Sequence, residues 1–295
     1  IACACGWNPD PPRDGTLHRD QTFEHDGQQR TYHFYETAVD GPRPMVLLLH
    51  GGGGSIDNHI GLGATQWPHQ VWLDIADEEG LHVLVPQGID EHWNDCRAEC
   101  ERCGQQDDQG FLLGLVDDLS TRFDVDLDRV YVVGESNGGF MTQRLAQEAP
   151  ERFAAMGVVI ALMPQDNDCT PRGQPMPIQY QVGTEDSAIT YEGGTGSGDI
   201  RVISADDSAA YWRDLGQCEP SPTTTAYDDL DPDDESTVSR ADYACPETNT
   251  AVSLVTMQGA GHVAPSVEVE VSAFWEGIVG EQNHDIEGAR VFWEF

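Results

Sequence analysis

The chain has 295 residues, 15 of them basic and 52 acidic, so its formal net charge at pH 7 is −37. Every basic residue is an arginine, and lysine is absent from the sequence. Such a charge repels phosphates and argues against a nucleic-acid partner. No apolar run approaches the roughly 18 residues that a membrane-spanning helix needs. The length suits one large α/β domain, because no linker-like stretch divides it.

The chain begins at Ile1 rather than Met, so we expect residues 1–15 to be an N-terminal processed segment and residues 16–295 to be a single catalytic domain. Its eight cysteines, an even number, indicate disulfides and therefore a secreted protein. Ile1-Ala2-Cys3 also resembles the end of a lipoprotein signal, which leaves open a lipid anchor at Cys3 and a periplasmic or cell-surface location.

Two clusters could be mistaken for metal sites. Cys96, Cys100 and Cys103 fit no common zinc spacing, so we interpret them as disulfides that staple a surface insertion. The acidic run at 228–235 lacks the central glycine of an EF-hand loop, so we interpret it as a solvated loop rather than a calcium site. We therefore expect neither a metal nor a cofactor.

Strand and helix patterns alternate along the chain. In the first half of the chain we expect strands at 16–24 and 29–37 joined by a turn at 26–27, a strand at 45–49, a helix at 66–79, a strand at 82–86, a helix at 110–123 and a strand at 129–133. In the second half we expect a helix at 140–148, a strand within 153–162, a strand at 177–182, a helix at 204–215, a strand at 252–257 and a last helix at 265–279. This order predicts an α/β fold, with a mostly parallel central sheet, helices on both faces and an antiparallel N-terminal hairpin.

The pattern Gly-x-Ser-x-Gly at 134–138 stands between a predicted strand and a predicted helix. In this context it indicates the nucleophile elbow of an α/β-hydrolase fold, with Ser136 as the nucleophile. The turn is so tight that Gly134 and Gly138 must be very small. A serine hydroxyl is a poor nucleophile at neutral pH, so it needs a base to take its proton and a carboxylate to orient that base.

In α/β-hydrolases the acid and then the base follow the serine along the chain. Asp186 directly follows the strand at 177–182, and Glu185 is its adjacent rival. Asp166, Asp168 and Asp199 follow no convincing strand and are weaker candidates. His262 lies in the glycine-flanked loop after the strand at 252–257, which makes it the candidate base.

The oxyanion that forms on attack needs N–H donors already in place. One should be the backbone amide of Asn137, directly after the nucleophile. The second should come from the glycine run at 51–54, where the backbone can approach a substrate without a Cβ in the way. Gly52 is our choice for this donor and Gly53 is the next. A phosphate-binding Walker loop is excluded because it requires a lysine.

Several motifs together resemble a known family: Leu-His-Gly-Gly-Gly-Gly at 49–54, Trp93-Asn94-Asp95, Asp-Asp-x-Gly-Phe-Leu at 107–112, Gly-x-Ser-Asn-Gly-Gly-Phe-Met at 134–141, Gly-Thr-x-Asp at 183–186 and Gly-x-Gly-His at 259–262. They resemble the secreted poly(3-hydroxybutyrate) depolymerases and feruloyl or acetylxylan esterases over about residues 31–280. The resemblance implies Ser136, Asp186 and His262 as the triad, the His-Gly loop as the oxyanion hole, and a disulfide between Cys218 and Cys245.

The resemblance also places Trp93 near the substrate cleft, although a buried tryptophan is an open alternative. The chain departs from the family pattern after His262, where it reads Val-Ala-Pro-Ser instead of an aromatic Trp-Pro, and in the cysteine cluster at 96–103. Both departures lie near the expected cleft, so they leave the substrate open. No separate carbohydrate- or polyester-binding module is visible.

We therefore expect a secreted serine esterase that hydrolyses a small or polymeric carboxylic ester through an acyl-enzyme, without a cofactor. Candidate substrates are hydroxyalkanoate polyesters, feruloyl or acetyl esters and related polyesters. Two alternatives stay open: an acyltransferase with the same triad, and an inactive hydrolase fold used as a binding module.

The acidic composition predicts a salt-dependent, halophilic protein. Like charges repel one another across the folded surface, and the screening length falls from about 10 Å at 0.1 M salt to about 3 Å at 1 M. We expect the melting temperature and the activity to rise with NaCl over the molar range, measured by differential scanning fluorimetry and an ester assay. A flat or falling response would contradict this.

Overall fold

The structure is a computed structural model that describes residues 13–98, 100 and 102–295. Residues 1–12, Glu99 and Glu101 are not described. The lipid anchor predicted at Cys3 and most of the predicted processed segment 1–15 therefore lie outside the described residues.

A ten-stranded sheet runs through the part of the chain that the structure describes, in the order β1-β2-β4-β3-β5-β6-β7-β12-β11-β10. Its six central strands, from β4 to β12, are parallel, and two antiparallel strands flank them on each side. β8 and β9 pair separately. The strands are β1 (Thr16–His25), β2 (Gln28–Glu36), β3 (Arg43–Leu49), β4 (His82–Pro86), β5 (Val125–Glu135), β6 (Ala155–Val159), β7 (Ile178–Gly183), β8 (Gly194–Thr195), β9 (Arg201–Val202), β10 (Thr223–Ala226), β11 (Thr237–Cys245) and β12 (Thr250–Gln258).

Helices cover both faces of this sheet. They are α1 (Ile56–His59), α2 (Trp72–Glu79), α3 (Asp108–Arg122), α4 (Asn137–Glu148), α5 (Ala205–Gly216), α6 (Ala273–Val279) and α7 (Gly288–Glu294). The apolar sides of α3, α4 and α5 pack into one core cluster, and those of α2 and α7 pack into a second cluster. The α/β-hydrolase architecture predicted from the sequence is confirmed.

Local chemistry explains where several elements turn or end. Asp26 and Gly27 both have positive φ, 52° and 73°, so this pair supplies the tight turn that the twist of a two-residue hairpin requires. Gly80 ends α2 in the left-handed conformation, with φ 69°. Asp107 caps α3, because its side chain accepts a hydrogen bond from the backbone N–H of Gly110 at 2.9 Å.

The C-terminal part differs from the prediction. The helix expected at 265–279 begins only at Ala273, and a further helix that was not predicted, α7, follows near the end of the chain. Apart from Ile286, residues 282–287 are polar, yet they are largely buried, because side chains such as Gln282 bond to backbone atoms of residues 264–271. Hydrophobic periodicity cannot detect such a segment.

Two other predictions need correction. The helix expected at 66–79 is a short 3-10 helix, Pro68–Val71, followed by α2. The strands β10 and β11 were not predicted. The edge strand β10 is exposed along its whole length and therefore lacks an apolar face, and β11 is mostly half-buried.

The described cysteines pair as disulfides. Cys218 and Cys245 are joined, as the family resemblance implied, with their Cα atoms 3.8 Å apart. Cys96 pairs with Cys169 and Cys100 with Cys103. The interpretation of the cysteine cluster as disulfides rather than a zinc site is therefore confirmed.

Within the described ranges, every helix is too short or too polar to cross a bilayer.

Candidate active site

Ser136 occupies the sharp turn between β5 and α4. Its φ of 51° is unusual for a residue other than glycine. A Cβ on Gly134 would lie 2.2 Å from the carbonyl oxygen of Gly138, and a Cβ on Gly138 would lie 2.1 Å from the carbonyl oxygen of Leu49. Because backbone oxygens cannot move away cheaply, only glycine fits at both positions. The turn therefore holds Ser136 at the carboxyl edge of the sheet.

His262 and Asp186 meet Ser136 at this edge. His262 Nε2 lies 2.9 Å from Ser136 Oγ, and His262 Nδ1 lies 2.6 Å from Asp186 Oδ2. Asp186 follows β7 and His262 follows β12, which pair as parallel neighbours. In the tautomer whose Nδ1–H donates to Asp186, Nε2 is free to accept the proton of Ser136. Glu185, the rival acid, is exposed to solvent.

The Asp186 carboxylate is held on both sides. Its Oδ1 accepts hydrogen bonds from the backbone N–H groups of Ala188 and Ile189, both at 2.8 Å, and its Oδ2 faces His262. The side chain is buried, so each oxygen has its partners within the protein. Such a carboxylate can orient an imidazole and stabilise its protonated form. The weaker candidates Asp166, Asp168 and Asp199 make no such contact.

The glycine loop 51–54 faces the start of α4. A Cβ on Gly51 would lie 3.5 Å from Ser136 Cβ, and one on Gly52 would lie 3.6 Å from Asn137 Cβ. The backbone N–H of Gly53 donates to Glu91 O, and that of Gly54 donates to Gly51 O, so these two amides are engaged. In the described part of this loop, Gly52 N–H has no backbone partner and is available to a ligand.

The His50 side chain holds the glycine loop in place through hydrogen bonds, a role that the sequence did not indicate. Burial lowers the pKa of His50 to about 4, so its imidazole is neutral at ordinary pH. Its Nδ1–H donates to Gly51 O at 2.8 Å, and its Nε2 accepts from Gly88 N–H and Gln87 Nε2, both at 3.0 Å. The loop is therefore fastened to the chain beyond β4.

Trp93 is fully buried, with 0% of its surface exposed. Of the two positions that the sequence left open, it therefore occupies the buried one. Its indole N–H donates to His50 O at 2.9 Å. Its backbone N–H donates to Asn137 Oδ1 at 2.8 Å, and its carbonyl accepts from Asn137 Nδ2 at 3.1 Å. Asn137 Nδ2 also donates to Asp95 Oδ2 at 2.7 Å. Trp93 thus connects the glycine loop to the first residue of α4.

Glu135 precedes the nucleophile and is buried on the opposite side of the sheet from α4. Its Oε2 accepts a hydrogen bond from Trp67 Nε1–H at 2.6 Å and lies 3.0 Å from His69 Nε2. Burial raises the pKa of Glu135, but the His69 and Trp67 contacts outweigh it and leave the pKa below its ordinary value. Nearby, burial lowers the pKa of His59 well below its usual range, with a further contribution from the His69 and His50 imidazoles.

The chain is similar to several known proteins. Residues 99–164 match the profile of the prolyl oligopeptidase family. The chain is similar to NocK of Nocardia uniformis subsp. tsuyamanensis, a protein named as an esterase, with 29% identity over 81% of this chain and 72% of NocK. It is also 32% identical to a poly(3-hydroxybutyrate) depolymerase of Ralstonia pickettii over 54% of this chain, but spans only 35% of that protein.

The fold is similar to that of a solved acetyl xylan esterase from Aspergillus awamori. The TM-score is 0.59 and the identity 15%, over 85% of this chain and 96% of that one. At this identity the likeness concerns the fold alone.

We predict that Gly134→Ala destabilises the protein. The added Cβ would overlap Gly138 O, so we expect the free energy of unfolding to fall by about 1–3 kcal/mol and Tm by several degrees. Gly277→Ala is the matched control, because a Cβ there meets nothing within 4 Å and a helical alanine is favourable. Equal Tm values for the two variants in thermal denaturation would contradict the tight turn.

Proposed function

We propose that the chain is a serine esterase that acts through Ser136, His262 and Asp186. We place it in the group of esterases that includes poly(3-hydroxybutyrate) depolymerases and feruloyl and acetylxylan esterases, because it is similar to proteins with these names. One observation carries the proposal: the continuous hydrogen-bonded chain from Ser136 Oγ to His262 (2.9 Å) and from His262 to Asp186 (2.6 Å). These are the contacts through which a base activates a serine and a carboxylate orients the base.

The reaction follows from this geometry. Ser136 Oγ attacks the ester carbonyl while its proton passes to His262 Nε2, and the Asp186 carboxylate stabilises the imidazolium that forms. The tetrahedral intermediate collapses, and His262 gives the proton to the leaving alcohol. Water then attacks the acyl-enzyme with the same base and releases the acid, which restores Ser136.

We assign the oxyanion hole to the backbone N–H groups of Asn137 and Gly52. Asn137 is the first residue of α4, so its amide has no partner within the helix. The positive end of the helix dipole adds to its attraction for an anion. Gly52 lies across from Asn137, and the amides of its neighbours Gly53 and Gly54 already donate to Glu91 O and Gly51 O. Two donors held rigidly stabilise the oxyanion more than water does.

The surroundings of the site favour an ester with an apolar part. Phe274 and Ile278 of α6 are 72% and 58% exposed, and the backbone N–H of His262 donates to the last residue of that helix. Trp275 packs edge-on against Trp67, with ring centroids 6.2 Å apart. We propose that this apolar surface contacts a polyester segment or an aromatic acyl group, in line with the names of the similar proteins.

We further propose that the protein is secreted and that residues 16–295 form a single catalytic domain. Three disulfides between described cysteines are typical of an oxidising compartment. The main sheet takes strands from β1 to β12, and α7 near the chain end packs on its second core cluster, which supports one folding unit.

Ser136→Ala tests the proposal. We expect kcat to fall by roughly 10⁶-fold on p-nitrophenyl esters of increasing chain length, methyl ferulate, acetylxylan and hydroxybutyrate oligomers, because the nucleophile is lost. Ser120→Ala on α3 is the control and should keep full activity. Product analysis with an added alcohol tells hydrolysis from acyl transfer. Retained turnover by Ser136→Ala would exclude the serine mechanism.

Trp93→Phe distinguishes a supporting role from a role in substrate contact. The variant keeps an aromatic side chain but removes the indole N–H that bonds to His50 O. A lost buried hydrogen bond costs about 1 kcal/mol, so we expect kcat to fall by up to about fivefold. The factor should be the same for every ester in the panel, with KM unchanged. A KM change that depends on acyl length would instead indicate substrate contact.

A further inference from the structure

Three potential metal ligands meet behind the nucleophile. His59 comes from α1, His69 from the 3-10 helix Pro68–Val71, and Glu135 from the last position of β5. All three are buried, with 4%, 4% and 5% of their surfaces exposed. One ligand atom from each residue lies within 4.8 Å of the other two. Among the described residues, these three form the group of metal-binding side chains that lies close enough together to hold an ion.

The two imidazoles leave nitrogen atoms without hydrogen-bond partners. His59 Nε2 is buried and makes no hydrogen bond. His69 Nε2 lies 3.0 Å from Glu135 Oε2, close enough for an ion pair, but it is not aligned for a hydrogen bond. Buried polar atoms are rarely left in this state, so such a group calls for a ligand that would satisfy it.

We propose that His59, His69 and Glu135 form a zinc-binding site. Two imidazole nitrogens and one carboxylate oxygen are a donor set that suits zinc, whereas calcium and magnesium prefer oxygen alone. Zinc bonds of about 2.1 Å would bring tetrahedral ligand atoms to about 3.4 Å from one another. The present spacing, from 3.0 Å up to the 4.8 Å limit, requires only small side-chain movements to reach this arrangement.

A hydrogen bond from outside the cluster holds one of the three proposed ligands in place. The Trp67 indole N–H donates to Glu135 Oε2 at 2.6 Å, and outer hydrogen bonds of this kind orient metal-binding carboxylates. The ion would join α1 and the 3-10 helix to β5, one residue before Ser136. The role that we assign to the ion is to stabilise the strand that carries Ser136, with water as the fourth ligand.

The test uses tag-free protein stripped with EDTA and then titrated with ZnCl₂. Excess CaCl₂ and NaCl are present throughout, because the acidic surface would otherwise hold zinc nonspecifically. We expect one zinc per chain by elemental analysis after gel filtration. Tm should rise by about 5–10 °C at a zinc concentration about 100 times Kd.

Variants identify the ligands. His59→Ala and Glu135→Gln should each weaken zinc binding by roughly 100-fold or more. His18→Ala is the control and should bind zinc normally, because His18 pairs with Glu36 at the surface and is not one of the three proposed ligands. Cobalt(II) absorption bands in the wild-type protein, removed by added zinc, report tetrahedral binding even where a variant fails to fold.

Zinc held below stoichiometry by the wild-type protein, or equally well by His59→Ala, would overturn the proposal. So would a cobalt spectrum without tetrahedral bands. Either result leaves the serine esterase proposal intact, because the metal site and the ester chemistry are measured separately.

Discussion

The turn between β5 and α4 has room for backbone alone, and the rest of the site depends on that constraint. Gly138 packs where its missing Cβ would lie 2.1 Å from Leu49 O, so α4 begins directly against the end of β3. The same contact brings the glycine loop after β3 beside Ser136. Ser136 holds an unfavourable φ of 51°, which costs about 1–3 kcal/mol, and the packing of α4 on the sheet offsets this cost. One steric fit therefore positions both Ser136, the proposed nucleophile, and the proposed oxyanion donors Gly52 and Asn137.

A buried hydrogen-bond network extends that fit to the neighbouring loops. Asn137 bonds to both backbone groups of Trp93, and the Trp93 indole bonds to His50 O, so hydrogen bonds connect α4, the segment after β4 and the glycine loop. The Cys96–Cys169 and Cys100–Cys103 disulfides hold the next residues of that segment. Cys103 Sγ even contacts the Arg97 guanidinium at 3.1 Å. The cysteine cluster at 96–103, which we interpreted from the sequence as an insertion, thus lies next to the residues that hold Asn137 and Trp93 in place.

The order of residues along the chain was enough to predict that Ser136, Asp186 and His262 meet, but not which side chains surround them. Ser136, Asp186 and His262 each follow a parallel strand, and parallel strands end at one edge, so their meeting could be predicted. The partners of Asn137 and Glu135 could not, because they lie 44 and 68 residues away with no periodic signal between them. The segment before α7 was missed for a related reason. Its buried side chains are polar and satisfied by backbone atoms, whereas sequence patterns detect burial through apolar residues.

The acidic surface and the chemistry of the site are compatible for an electrostatic reason. A net charge of −37 repels anions at low salt, yet an ester is neutral and meets no such barrier. Its product acid is an anion, so the same field favours product release. This effect acts over about 10 Å at 0.1 M salt and fades as salt increases. In the core, one pair of opposite charges is held together: the Arg30 guanidinium lies 2.6 Å from Asp108. The acidic side chains at the surface are solvated by water, and their field acts on the substrate that approaches and on the product that leaves.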